Sequence, residues 1–393
     1  MPLHADELLQ DAERVTGLHD WGGDDYFDGE FRKLLAAMVY SLENESALTA
    51  QGHRGAELRL RAALEARLQF IDDRRQKPAL KHVRIERPMF ILGLPRSGST
   101  FLHSLIAQDP AVHAPLTWEM ILPSPPPTAR DRDNDPRIAR VEDIYSAMGQ
   151  LSPEILALHP SGARQPEECH LMMEIMLLGD NLPACWRMPA FNKQRAATDS
   201  MLGYRTHRMV LQNLHSTHLA ERIVLKNPGH VFYLRQLLDT YPDALLVQTH
   251  RDPAKVIPSV AALLVAMRKA SSNDAPPPDK IAMGNLRAFA DGLTKAIEFR
   301  RQPGMNERFY DVHFRQMIAD PIGTVEKVYA HFGIGLSDEA RDAMQRWLDD
   351  PASRTPKGKH ALADYGLDEP AIDRAFDAYM EHYGVQRERL IVK

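Results

Sequence analysis

The strand–turn–helix pattern at residues 87–110, RPMFILGLPRSGSTFLHSLIAQDP, constrains the fold more than any other part of the chain. Its short apolar run, MFILGL, leads directly into a turn and a helix, as a buried parallel strand does. RIVLKNPGH and ALLVQTHRDP repeat this pattern further along, and RFYDVHF is a fourth candidate strand. Strands that alternate with helices predict a three-layer α/β fold, with a mostly parallel central sheet and helices on both faces. In such sheets, ligands bind at the carboxyl ends of the strands.

Residues 1–86 have a different pattern and predict a helical N-terminal extension. Three segments, DELLQDAERVTGL, FRKLLAAMVYSLENE and GAELRLRAALEARLQFIDDRR, repeat apolar residues at the spacing of a helix. We therefore expect two domains: the extension at residues 1–86, which would form a lid over a ligand or a dimer interface, and an α/β domain at residues 87–393. The proline-rich stretches 121–136 and 271–279 are expected to be surface loops, because sheet elements continue on both sides of each.

The composition is that of a globular protein and excludes several function classes. The net charge of −5 offers no overall attraction to nucleic acid or to an anionic membrane. Two cysteines, Cys169 and Cys185, exclude a disulfide framework and suit a reducing cytosol. The acidic start of the chain is unlike a signal peptide, and the longest apolar run, 258–267, is about half as long as a membrane span. We therefore expect a cytoplasmic protein with no integral membrane segment and no nucleic-acid partner; the oligomeric state, a homodimer included, is left open.

The turn after the first strand has almost the spacing of a phosphate-binding P-loop, G-x-x-x-x-G-K-[ST]. Gly93, Gly98 and Thr100 match that spacing. Ser99, however, occupies the lysine position, and Arg96 supplies a cation three residues earlier. A glycine-rich turn that opens a helix offers backbone N–H groups to an anion, and the helix dipole favours negative charge there. Because a nucleoside triphosphate site needs the missing lysine and a magnesium ligand, this P-loop-like turn predicts an anion that is bound without a metal.

The segment LPRSGSTFL resembles the 5′-phosphosulfate loop of sulfotransferases that use 3′-phosphoadenosine-5′-phosphosulfate (PAPS). The resemblance implies that the nucleotide's 5′ end is bound by the loop residues Arg96, Ser97, Gly98, Ser99 and Thr100. In that family a later strand ends in an arginine, with a serine eight positions on, and HRDPAKVIPS supplies both as Arg251 and Ser259. The resemblance implies that these two side chains bind the 3′-phosphate, for which the donor fork of arginine is well suited.

The resemblance covers about residues 87–365 and is closest to bacterial members of the group that includes tyrosylprotein sulfotransferases. Phe314 stands where the family usually has a tyrosine near the adenine, so that stacking on the base is retained without the hydroxyl. The segment SRTPKGKH, 353–360, resembles the C-terminal loop that closes over the nucleotide, although the family's Arg-Lys-Gly order is altered here. The contacts that this loop implies are Lys357, Gly358, Lys359 and His360.

The resemblance also implies an activity, the transfer of a sulfuryl group from PAPS to a hydroxyl or amine. Arg96 and Lys226, which ends RIVLK, would stabilise charge on the leaving phosphate and on the sulfuryl group. The first candidate base is Glu119, because tyrosylprotein sulfotransferases have a glutamate about twenty residues after the loop arginine, and this one lies 23 after it. Its neighbours in the sequence are apolar, which would favour proton acceptance near neutral pH. The alternative is His230, which is already suited to proton transfer. Glu167, Glu168 and His170 are ranked lower, as residues that would line the acceptor side.

The acceptor is open among small molecules such as a phenol or a sterol-like alcohol, lipids, carbohydrates and a peptide tyrosine. The methionine-rich stretch 170–191 is either core or part of an acceptor pocket. A metal site is not expected, because His207, His215 and His218 have no carboxylate or cysteine at a ligand spacing. Two other functions remain alternatives: a degenerate P-loop kinase or hydrolase that requires magnesium, and a homologue that binds the nucleotide without transferring the group.

Overall fold

The computed structural model describes residues 2–128, 130, 132–147, 153–159, 161–217, 220–353 and 360–388. Within these ranges the strands form a five-stranded parallel sheet in the spatial order β2-β3-β1-β4-β5. In chain order the strands are β1 (Met89–Gly93), β2 (Val112–His113), β3 (Arg222–Lys226), β4 (Leu245–His250) and β5 (Phe309–His313). The α/β fold and its four predicted strands are thus confirmed. The strand β2 was missed because its two residues carry no apolar run.

Helices make up most of the remaining described structure, and three of them precede β1, as predicted. The α-helices in chain order are α1 (Ala5–Thr16), α2 (Asp28–Asn44), α3 (Ala50–Gln76), α4 (Ser99–Ile106), α5 (Thr117–Ile121), α6 (Arg137–Ala147), α7 (Pro153–Leu158), α8 (Asn181–Cys185), α9 (Pro189–Ala197), α10 (Met201–His215), α11 (Leu234–Thr240), α12 (Pro253–Ser271), α13 (Pro278–Arg300), α14 (Phe314–Ala319), α15 (Pro321–His331), α16 (Asp338–Asp349) and α17 (Glu369–Tyr383). Short 3₁₀ helices lie at Gly23–Tyr26, Pro78–His82, Cys169–Met176, Pro228–Phe232, Asn306–Arg308, Pro351–Ser353 and Leu362–Tyr365. Among the described helices, none combines the length and the apolar character that a membrane crossing requires.

The chain divides into two compact units, which we call the helical unit and the sheet unit. The helical unit comprises Met1–Ile85, Pro115–Leu219 and Ala266–Ala275. The sheet unit comprises Glu86–Ala114, Ala220–Val265 and Pro276–Lys393, and it contains all five strands. The domain boundary expected at residue 86 stays a prediction.

Both faces of β1 are covered by apolar side chains of the sheet unit. Met89 and Ile91 join a buried cluster with Leu102 of α4 and with residues of α15 and α16. On the other face, the Phe90 ring lies 5.2 Å from the ring of Tyr241. Every residue of β1 is buried, which explains the continuous apolar run in the sequence. This packing fixes the carboxyl end of β1 in the middle of the sheet.

Two arginines of α3 are buried inside the helical unit. Arg59 donates hydrogen bonds to both carboxylate oxygens of Glu174, and both side chains are almost fully buried. Burial alone would lower the pKa of Arg59, but the charge of Glu174 raises it overall. Arg67 instead donates to backbone carbonyl oxygens, among them those of Trp21 and Tyr26, and burial lowers its pKa to about 10. These contacts satisfy most of the polar atoms that would be costly to bury alone, whereas Nε of Arg67 is buried without a hydrogen-bond partner among the described residues.

Candidate functional site

The loop after β1 begins at a glycine that the neighbouring strand requires. Gly93 has a φ of 138°, a conformation that side-chain-bearing residues rarely adopt. A Cβ atom there would lie 2.5 Å from the carbonyl oxygen of Thr249 in β4. The buried Ser97 hydroxyl donates to the Leu94 carbonyl and lies 2.6 Å from the Thr249 hydroxyl. The start of the loop is therefore held against β4 by backbone contact and by a hydroxyl pair.

Arg96 joins the two strand-to-helix turns that the sequence singled out. Its φ is 63°, an uncommon backbone conformation for a residue other than glycine, and such strain is concentrated at functional sites. Its Nε atom donates to the hydroxyl of Ser259 in α12, at 3.1 Å. In return, Nη1 of Arg251 donates to the carbonyl oxygen of Arg96, at 2.9 Å. The loop after β1 and the turn after β4 thus form one connected set of polar groups.

The loop enters α4 at Ser99, and Gly98 is its N-cap with a φ of 92°. Ser99 is buried, whereas Thr100 is exposed on the first turn of the helix. The first N–H groups of an α-helix have no intrahelical partner, and they form the positive end of the helix dipole. This helix start therefore favours an anion beside the exposed hydroxyl of Thr100.

The aromatic ring of Phe314 lies between the loop and the second arginine. The guanidinium carbon of Arg251 is 3.8 Å from the centre of the Phe314 ring, a cation–π contact. A Cβ atom at Gly98 would lie only 2.8 Å from a ring carbon of Phe314, so glycine is required for this close approach. Phe314 thus lies beside both turns, as the expected contact with a nucleotide base requires.

Lys226 is the last residue of β3, and it pairs in register with Ile91 of β1, two residues before that strand ends. Its side chain is fully buried. The following residue, Asn227, donates its backbone N–H to the Ile91 carbonyl at 3.1 Å, which holds the end of β3 beside β1. The sheet unit therefore presents a lysine and two arginines at the carboxyl ends of β1, β3 and β4, an arrangement that can bind more than one anionic group.

Glu119 lies in α5 of the helical unit, and its side chain is fully buried. Its carboxylate accepts a hydrogen bond from the Leu116 N–H at 2.7 Å and from Arg132 Nε at 2.6 Å. The expectation from the sequence was an apolar environment, because only the adjacent residues could be judged. The Arg132 guanidinium, 13 positions further along the chain, stabilises the ionised carboxylate. It therefore opposes apolar neighbours, which would favour the protonated form.

The alternative base, His230, and the lower-ranked residues each contact a ring or a carboxylate. His230 is buried in the 3₁₀ helix Pro228–Phe232, with its ring edge-on to Phe90 at 5.3 Å. In the helical unit, the His170 ring lies 3.4 Å from the Glu168 carboxylate. Burial alone would lower the pKa of His170, but Glu168 and other carboxylates raise it overall. Glu167 lies 3.0 Å from the ring of His159.

Part of the expected closing loop lies outside the described residues, namely Lys357, Gly358 and Lys359. His360 is described and half-buried, with its ring 6.4 Å from that of Tyr365.

The sequence did not reveal that the end of the chain contacts the second turn. Glu388 accepts hydrogen bonds from Arg251, and Arg387 donates to Asp252, at 2.8 Å in each case. Two charged residues near a chain end, in QRER, are too common a feature to predict these partners.

Known proteins similar to this chain share one activity in their names. The family model described as Sulfotransferase family matches residues 88–338. The crystal structure of sulfotransferase STF1 from Mycobacterium tuberculosis H37Rv is 32% identical, with coverage of 96% of this chain and 99% of that chain and a TM-score of 0.81. Sulfotransferase STF9 from Mycobacterium avium is 25% identical, with coverage of 98% and 97% and a TM-score of 0.85. The omega-hydroxy-beta-dihydromenaquinone-9 sulfotransferase Stf3 of Mycobacterium bovis is 23% identical over 306 residues, 76% of each chain.

Proposed function

The chain belongs to the sulfotransferase family, and from that premise we propose that it transfers a sulfuryl group from PAPS to an acceptor hydroxyl or amine. The observation that carries the donor assignment is the link between the two turns: Arg96 to Ser259, and Arg251 to Arg96. A donor with one anionic group at its 5′ position and another at its 3′ position fits two adjacent anion sites. A nucleoside triphosphate has its charges in a single chain and would leave one site unused.

The residues present fit PAPS by the chemistry of their donor groups. The 5′-phosphosulfate would be held by Arg96 and by the N–H and hydroxyl groups of the loop and α4, the residues Ser97, Gly98, Ser99 and Thr100. The 3′-phosphate would be held by Arg251 and Ser259, since a guanidinium donates in parallel to two phosphate oxygens. The base would stack on Phe314. The remaining proposed contacts are those of the closing loop, Lys357, Gly358, Lys359 and His360.

Two cations would lower the barrier of the transfer. In a loose transition state, negative charge develops on the leaving phosphate oxygen, and groups placed in advance to meet that charge stabilise it. Lys226 and Arg96 supply positive charge at the ends of adjacent strands, without a metal ion. The protein's own contribution is to hold these cations and to exclude water, because an electrostatic contact is stronger in a buried site.

We propose Glu119 as the base that takes the proton of the acceptor, with His230 as the alternative. The Glu119 carboxylate is held in one orientation by hydrogen bonds from Arg132 and the Leu116 N–H. The same contacts make protonation less favourable. His230 is buried in the sheet unit, to which Arg96 and Lys226 also belong.

The acceptor that we propose to test first is a lipid alcohol. The name of the Mycobacterium bovis relative describes a hydroxylated dihydromenaquinone as its acceptor. Small-molecule and carbohydrate hydroxyls remain alternatives, because a shared fold does not define the substrate.

We also propose a cytoplasmic setting. Cys169 and Cys185 are both buried and are not joined by a disulfide, as suits a reducing compartment.

The test measures transfer of ³⁵S-labelled sulfuryl from PAPS to hydroxylated lipids, with EDTA present, for the wild type, Glu119→Gln and His230→Gln. If Glu119 is the base, its variant loses roughly a hundredfold or more in transfer rate and still binds adenosine 3′,5′-bisphosphate. A matched control is Glu7→Gln, which removes an exposed carboxylate of α1 and should leave the rate unchanged.

Three results would contradict parts of this proposal. Full activity of Glu119→Gln, with loss in His230→Gln, would move the base to His230. Transfer that stops in EDTA and returns with magnesium would favour a metal-dependent enzyme. A wild type that binds adenosine 3′,5′-bisphosphate no more tightly than adenosine 5′-monophosphate would exclude the 3′-phosphate site.

A further inference from the structure

The end of the chain contacts all three residues of the tripeptide His250–Arg251–Asp252 at the carboxyl end of β4. We call residues 369–388 the C-terminal segment; it consists of α17 and the five described residues that follow this helix. The hydroxyl of Tyr379 lies 3.1 Å from Nδ1 of His250 and accepts the backbone N–H of Arg251. The backbone N–H of Glu388 donates to Asp252 at 2.7 Å. The segment is therefore docked on this turn by several independent contacts.

The carboxylate of Glu388 occupies the donors of Arg251 that a phosphate would use. Nε of Arg251 donates to Oε1 of Glu388 at 2.8 Å, and Nη2 donates to Oε2 at 3.1 Å. The third nitrogen, Nη1, is used by the carbonyl of Arg96. A carboxylate and a phosphate present two oxygens to the arginine fork in the same way. Only one of these anions can therefore hold the Nε–Nη2 side of the guanidinium at a time.

We propose that Glu388 is an internal competitor for the 3′-phosphate of the nucleotide, and this inference rests on the proposed function. The pair is partly exposed, with 23% of the Arg251 side chain and 19% of the Glu388 side chain accessible to solvent. Solvent at the pair weakens it, so that a phosphate with a larger charge displaces the carboxylate. The competition lowers the affinity for every 3′-phosphorylated nucleotide and speeds the release of adenosine 3′,5′-bisphosphate after transfer.

The exchange requires only a small movement of Glu388. Its backbone N–H stays on Asp252, and the neighbouring Arg387 stays on the same carboxylate. A rotation about the side-chain bonds of Glu388 is enough to free Arg251, and such rotations are fast for an accessible side chain. The C-terminal segment therefore remains docked while the side-chain carboxylate of Glu388 leaves Arg251.

The test compares the wild type with Glu388→Gln and Glu388→Ala in the full chain, with two ligands. Adenosine 3′,5′-bisphosphate carries the competing phosphate, and adenosine 5′-monophosphate lacks it. If the pair is formed in about nine-tenths of the molecules, its removal should raise the affinity for the bisphosphate about tenfold, because Arg251 is then available to the phosphate in all molecules instead of in about a tenth of them. The affinity for the monophosphate should not change.

Two control variants define what the competition predicts. Glu381→Gln removes an exposed carboxylate of α17 and should change neither affinity. In an Arg251→Met background, Glu388→Gln should give no gain, because the group for which the two anions compete is absent. A gain in that background would overturn the proposal.

The outcomes separate this inference from the proposed function. If the wild type prefers the bisphosphate and the Glu388 variants bind it equally or more weakly, the competition is wrong and the proposed function stands. If neither the wild type nor any variant prefers the bisphosphate to the monophosphate, the proposed function and the competition both fail.

Discussion

The two units each contain an arginine–glutamate pair, and the pairs differ in how much water reaches them. In the helical unit, Arg59 and Glu174 have 3% and 7% of their side chains exposed. In the sheet unit, the corresponding values for Arg251 and Glu388 are 23% and 19%. The first pair cannot separate without leaving a charge buried, whereas the second can exchange one anion for another. The same two residue types therefore form a buried ion pair in one unit and a partly solvated pair, at the proposed 3′-phosphate site, in the other.

The largest expected effect is a loss of stability when the buried Arg59–Glu174 pair is broken. Arg59→Met leaves the Glu174 carboxylate buried without its guanidinium, so we expect the free energy of unfolding to fall by about 3–5 kcal/mol, measured by urea titration. The double variant Arg59→Met/Glu174→Leu removes both charges and should recover most of that loss. A single variant that loses less than about 1 kcal/mol would show that the pair contributes little to stability.

The second effect concerns ligand binding rather than stability. Arg251→Met should lower the affinity for adenosine 3′,5′-bisphosphate by about 1.5–3 kcal/mol, as measured by isothermal titration calorimetry, because a charge-assisted phosphate contact is lost. The free energy of unfolding should change by less than about 1 kcal/mol, because the Arg251–Glu388 pair is partly exposed. If Arg251→Met is much less stable but binds the bisphosphate as tightly as the wild type, the Arg251–Glu388 pair stabilises the fold, as the Arg59–Glu174 pair does, and Arg251 does not bind the 3′-phosphate.

The smallest effect comes from a pair of intermediate exposure, Arg300 and Asp311, with 2% and 33% of their side chains exposed. Burial alone would raise the pKa of Asp311, but hydrogen bonds and charge from His250 and Arg300 lower it overall. A lowered pKa stabilises the fold above the unfolded-state value of about 3.9, and this stabilisation is lost as the pH falls through the lower folded-state value.

Between pH 5 and pH 3 we therefore expect the stability advantage of the wild type over Asp311→Asn to narrow by about 1 kcal/mol, after allowance for the exposure of the carboxylate. The measurement is urea unfolding of both proteins at several pH values. An advantage that stays constant or widens over this interval would contradict the assigned direction of the pKa.

The strands and the loop could be predicted because their signals are local. MFILGL, RIVLK and ALLVQTH are short runs beside turns and are largely apolar. These three segments and the more polar RFYDVHF each form a strand at or within a few residues of the quoted segment. Gly93 and Gly98 were identified from their spacing alone. The structure adds the physical reason that their positions require glycine, the close approach of Thr249 to one and of Phe314 to the other.

The environment of Glu119 could not be predicted in the same way. Its neighbours along the chain are Trp118 and Met120, and they are apolar. Its ion-pair partner, Arg132, lies in the proline-rich stretch 121–136, which has no helical or strand periodicity, so no spacing rule connects the two. The assignment of the base therefore depends on a contact that only a folded chain contains, and the transfer assay in Glu119→Gln decides it.

By itself, the sequence determined the parallel sheet, the turn that opens α4, and which residues carry charge at the ends of strands. These features follow from apolar periodicity and from glycine spacing, which act over a few residues. Only the tertiary structure decided that Arg96 and Arg251, 155 positions apart, contact each other and that Glu388 holds the second of them. Contacts between distant side chains depend on how the strands are ordered and on where the chain ends, and no local pattern encodes either.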